Sequence, residues 1–163
     1  MITDTKKGGR EFLPLLLILI GSCIWPPWRG NNSTMAYVLA ALMAALSFLL
    51  NRAALRCLGP KAIISLGPLL EEAAKTLPAF YLGADIFLTH AAFGTIEAAY
   101  DWLTSRRFGA RPAVLSLVGH SLFGLATVGA LALTGSVLLA AATGLAGHLA
   151  WNIALIHLLA KEE

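Results

Sequence analysis

The sequence predicts an all-α, polytopic helical membrane protein of about six transmembrane helices, and three observations carry that expectation. Of 163 residues, 58% are hydrophobic and only 13% are charged, where a soluble domain carries about 25% charged residues. Six apolar segments can be drawn, at 12–28, 34–50, 62–82, 85–103, 113–133 and 136–160, each near the roughly 17–25 residues that cross a bilayer. The basic residues then sort to one side. With a cytoplasmic N-terminus, Lys6, Lys7, Arg10, Arg52, Arg56, Lys61, Arg106, Arg107, Arg111 and Lys161 all lie inside, Arg29 lies outside, and Lys75 is within a span. This is the positive-inside bias of a cell-membrane protein, with both termini cytoplasmic. The net charge of +3 and pI near 9.1 therefore report topology and anionic lipid headgroups, and no nucleic-acid partner is expected.

The first segment, 12–28, reads in two ways. Lys6, Lys7 and Arg10 before a short apolar run resemble the start of a signal segment, and Ile20, Gly21, Ser22 and Cys23 resemble a lipoprotein cleavage box. Pro26, Pro27 and Trp28 instead read as a helix end with an interfacial aromatic anchor, which favours a retained span. The only other cysteine, Cys57, falls in an expected cytoplasmic loop after the second segment, so a disulfide between the two is not expected.

The third segment, 62–82, is apolar except for Glu71, Glu72 and Lys75. Each ionisable group at membrane depth costs roughly 2.5–3.5 kcal/mol, so three in one span mark a functional site. Lys75 lies four residues from Glu71 and three from Glu72, within reach of either carboxylate. Pro68, one turn earlier, predicts a kink. In the fourth segment Phe93, Glu97, Tyr100 and Asp101 share a face. The fifth carries His120 with Gly124 one turn on. The sixth carries His148 with Asn152 one turn on, and Ala140 and Gly144 on the same face let a neighbouring helix approach closely. The chain reads as a single transmembrane domain, 1–163, with a functional core at about 62–160.

Depth brings these residues to one layer. At 1.5 Å rise per residue, Glu71 lies about 14 Å from the cytoplasmic end of its span, Glu97 and His120 about 10 Å, Asn152 about 12 Å and His148 about 18 Å. Structural readings stand beside the functional one. Asn152 reads equally as interhelical glue, and either histidine reads as a satisfied core residue. Tyr100 and Asp101 read as interfacial anchors. His90 shares the Glu97 face about two turns further out and is left unassigned.

The four motifs Glu71-Glu72-Ala-Ala-Lys75, Phe93-Gly-Thr-Ile-Glu97, His120-Ser-Leu-Phe-Gly124 and His148-Leu-Ala-Trp-Asn152 together resemble those of the PrsW-type glutamic intramembrane proteases, relatives of the CAAX proteases. The resemblance covers about residues 67–152. It implies hydrolysis of membrane-spanning substrate proteins, anti-sigma factors being the family's known kind. It also implies Glu71 as the base that activates water.

The chemistry is consistent with that resemblance. Hydrolysis inside a membrane needs a water, a base and donors for the developing oxyanion. Carboxylates sharing a low-dielectric site cannot all ionise cheaply, which poises one of them to take a proton. Lys75 would hold a neighbouring carboxylate, with Glu72 as its supporting partner. Glu97 and His120 would position the water, and His148 with Asn152 would polarise the scissile carbonyl. No cofactor is expected on this reading. Two alternatives stay open. Glu71, Glu97, His120 and His148 offer ligands that zinc accepts, although no HExxH spacing is present. A small proton-coupled transporter or channel would use the same groups as a relay.

Overall fold

The computed structural model describes residues 32–104 and 110–159, with the side chains of 60–64 and 159 outside that description. The described residues form five helices: α1 (Ser33–Leu58), α2 (Pro60–Tyr81), α3 (Ile86–Thr104), α4 (Arg111–Thr134) and α5 (Val137–Leu159). The expected segment 12–28, with Cys23, lies outside the described residues. The other five apolar segments each correspond to one helix, and four of them agree within two residues at each end.

The exception is α1, which runs two turns past the expected end at 50. Residues 51–58, read as part of a cytoplasmic loop, are helical. Their Ala, Leu and Arg content favours helix, and nothing stops it before Gly59. Gly59 takes φ +80°, a conformation side chains resist, and its N–H bonds the Leu55 carbonyl at 3.1 Å. Pro60 then opens α2, where a missing N–H costs nothing. One glycine thus replaces the loop, and Asn51 rides inside a helix.

Polar caps set the other boundaries. Asn32 accepts from the Met35 N–H at 2.9 Å at the start of α1, and Asp85 accepts from the Leu88 N–H at 3.0 Å before α3. Gly135, at φ +66°, ends α4. Helix α2 continues through both Pro68 and Pro78.

Helix α1 packs on α2 and α3; α4 packs on α3 and α5; α2 touches α5 and α3. An apolar core of Ala36, Leu39, Ala79, Ala84, Ile86, Leu131, Val137 and Ala140 fills one end of the bundle. The polar residues occupy the next layers along α2–α5. Outward faces carry Leu42, Leu49, Leu125, Leu133 and Leu138, all exposed. Three helices, at Ser33–Leu58, Arg111–Thr134 and Val137–Leu158, are long and apolar enough to cross a membrane, and the chain is a membrane protein. Helices α2 and α3 carry Glu71, Glu72, Lys75, Glu97 and Asp101 among their apolar residues.

Candidate functional site

Helix α2 turns Glu72, Lys75, Thr76 and Ala79 inward, one stripe at helical spacing. Lys75 has no exposure and Glu72 has 1%. The Lys75 ammonium lies 2.6 Å from Glu72 Oε1, 2.9 Å from His120 Nδ1, and 4.4 Å from the centre of the Phe93 ring. Its donors are thereby matched to a carboxylate, an imidazole nitrogen and an aromatic face.

That arrangement assigns the tautomer of His120. An ammonium can only donate, so Nδ1 accepts and Nε2 carries the proton. Nε2 meets Glu97 Oε2 and donates to it. The opposite logic holds at His148. Its Nδ1 lies 3.0 Å from Glu72 Oε1, an acceptor, so Nδ1–H donates and Nε2 remains for another partner. The His148 ring stacks on Phe123 at 4.8 Å and stands edge-on to His120 at 5.3 Å.

Glu71 points to the other side of this chain of contacts. Asn51 Nδ2 of α1 donates to its Oε1 at 2.9 Å, while Oε2 is buried with no hydrogen-bond partner among the described residues. Glu71, Glu97 and His120 each offer an atom within 4.8 Å of the others, and so do Glu72, His120 and His148. His120 joins the two groups. The Glu97 side chain is 38% exposed, so the group of Glu71, Glu97 and His120 opens outward at Glu97, while the group of Glu72, His120 and His148 is closed.

Two glycines let α3 and α4 come this close. A Cβ on Gly94 would stand 2.7 Å from the His120 Cβ, and one on Gly124 would stand 2.8 Å from the His90 Cβ. The sequence shows why: His90-Ala-Ala-Phe93-Gly94 and His120-Ser-Leu-Phe123-Gly124 are the same pattern on two consecutive helices. Each histidine packs on the other helix's glycine.

The structure therefore gathers Glu71, Glu72, Lys75, Glu97, His120 and His148. It does not tie Asn152 to them: that residue is half-buried and its side chain makes no hydrogen bond among the described residues. Two further residues stand at the site: Asn51, passed over in the sequence, and His90, left unassigned there. Asn51 sat beside Arg52 in what read as a loop. His90 is fully buried, with Nε2 at 3.2 Å from Thr76 Oγ1 and Nδ1 at 3.7 Å from Glu72 Oε2. The repeated histidine–glycine pattern was the available signal for His90.

Both carboxylate–histidine groups suit a divalent metal by donor type. In the Glu72, His120, His148 group the Lys75 ammonium already serves as the cation. In the Glu71, Glu97, His120 group, ligation would require His120 Nε2 to give up the proton it donates to Glu97. Compared with known proteins, the chain matches no family model, no curated protein and no solved structure.

Proposed function

We propose that this polar layer hydrolyses peptide bonds of membrane-spanning proteins, using water activated by a glutamate, in the manner of the PrsW-type proteases that the four motifs resemble. The observation that carries the reading is the convergence of the Glu71 and Glu97 carboxylates on His120, within 4.8 Å and on the open side of a lysine-neutralised cluster. About six spans would enclose the site, with both termini and residues 52–61 and 106–111 in the cytoplasm, as the positive-inside bias predicts.

In the reaction, water lies between Glu71 and Glu97. Asn51 engages Glu71 Oε1, leaving Oε2 as the proton acceptor. The water's O–H bond breaks toward Glu71 as its oxygen bonds the scissile carbon. Glu97, held by His120, positions that water. His148, fixed by Glu72, donates through Nε2–H in its doubly protonated form to the developing oxyanion. The proton on Glu71 passes to the leaving nitrogen as the C–N bond breaks, giving a carboxylic acid and an amine. Lys75 keeps Glu72 and His120 in place and takes no part in bond making.

The test is cleavage of single-span membrane proteins, anti-sigma factors first, by the purified protein in lipid, with and without a chelator. Cleavage that survives chelation is expected. Loss on chelation with restoration by zinc would assign Glu71, Glu97 and His120 to a metal instead. Proton or solute flux in liposomes without cleavage would favour the transporter.

A further inference from the structure

Glu72 turns its two oxygens to different neighbours. Oε1 takes Lys75 at 2.6 Å and His148 at 3.0 Å. Oε2 is buried without a hydrogen-bond partner among the described residues, and so are Nδ1 of His90 and Oγ1 of Thr127. None of these three residues is more than 1% exposed. The three share a corner. His90 Nδ1 lies 3.7 Å from Glu72 Oε2. A Cβ built on Gly144 would overlap Thr127 Oγ1 and stand 2.9 Å from Glu72 Oε2. No side chain fits at position 144 without displacing one of these two oxygens.

A buried polar atom without a partner costs about 1–3 kcal/mol, so three together call for a shared one. The His90–Glu72 separation is too long for a direct hydrogen bond, yet one water can stand about 2.8 Å from both atoms. A buried water needs two to four polar partners. Glu72, His90 and Thr127 supply three. Thr76 fixes the imidazole from its far side: with the Thr76 hydroxyl donating to Nε2, the Nδ1–H faces Glu72.

We propose that His90 is a positioning residue of the reaction site, acting on Glu72 through one water held by Glu72, His90 and Thr127 beside Gly144. The proposal rests on the hydrolytic reading and deepens it. Anchoring Oε2 from behind fixes the rotation of the carboxylate, so that Oε1 stays on Lys75 and on His148 Nδ1. His148 is thereby kept aimed at the substrate carbonyl. His90 itself touches neither substrate nor the reacting water.

Two measurements test it. A structure of the purified protein at a resolution that shows solvent should reveal an ordered peak within hydrogen-bond distance of Glu72 Oε2, His90 Nδ1 and Thr127 Oγ1. A corner without that peak overturns the proposal whether or not the protein cuts peptides. In cleavage assays, His90→Phe, Gly144→Ala and Thr127→Val should each lower kcat about tenfold, the size of one hydrogen bond to a charged group, at unchanged KM. His90→Gln should recover most of the loss. Thr127→Val keeps the side-chain volume, so it reports even if the bulkier changes impair folding. Parent kcat in Thr127→Val and in every folded His90 or Gly144 variant overturns the positioning role. A parent protein that cuts nothing defeats the hydrolytic reading and the role together, while the solvent peak still decides the site.

Discussion

Lys75 meets Glu72, His120 and the face of Phe93 from a position with no exposure. Removing its charge would leave the buried Glu72 carboxylate without its nearest cation. Lys75→Met should therefore cost roughly 3–5 kcal/mol of stability, and adding Glu72→Gln should recover part of it. Thermal unfolding in detergent measures both; a single variant as stable as the parent would contradict the pairing. Asn51 is a gentler case. Asn51→Leu removes one hydrogen bond from Glu71 and should slow turnover about tenfold with normal expression, read in the cleavage assay. Parent turnover would remove Asn51 from the site. The carboxylates, Lys75, His120 and His148 were legible in the sequence because polar groups in apolar spans are costly. Asn51 was not, because a polar residue next to Arg52 resembles a span end. His90 was not, because periodicity along one helix does not say which side chain a neighbouring helix brings to the same height.

Helices α3 and α4 are where packing and chemistry coincide. Gly94 receives His120 and Gly124 receives His90, so the glycines that permit close approach also set where both histidines stand. Gly94→Ala would force the helices apart and should cost roughly 1–3 kcal/mol, with activity falling as His120 shifts from Glu97. Gly129 lies on the same α4, and a Cβ there meets nothing within 4 Å. Gly129→Ala should be neutral or stabilising by up to about 1 kcal/mol, the helix preference for alanine. Unfolding temperatures of the two variants compare directly, and equal effects would contradict the interlock. The five helices were legible from apolar length, and the bounds of four of them to within two residues. The single-residue turn at Gly59 was not. A basic stretch after an apolar one reads as a loop, yet Arg52, Leu55 and Arg56 continue a helix as readily as they end a span.

For the molecule as a whole, the basic residues predict the sidedness that the bundle alone leaves open. Cys57 is a free, exposed thiol near the end of α1, close to Arg52 and Arg56 in the chain. In a Cys23→Ser background, Cys57 should resist membrane-impermeant thiol reagents in intact cells and react after permeabilisation. Ready labelling in intact cells would invert the orientation and place the Glu97 opening on the outer side. The shared layer of polar residues was legible from depth along each span; its division into a group that opens at Glu97 and a closed group around Glu72 required the helix packing. The central claim, that Glu71 is the base for peptide hydrolysis, meets its most direct test in Glu71→Gln assayed beside the parent on one single-span substrate in lipid. Glutamine keeps the size and the bond from Asn51 but cannot take a proton from water. A loss of about 10²–10⁴-fold in cleavage is expected, with substrate still captured and the unfolding temperature not lowered. Cleavage by Glu71→Gln at the parent rate would contradict it.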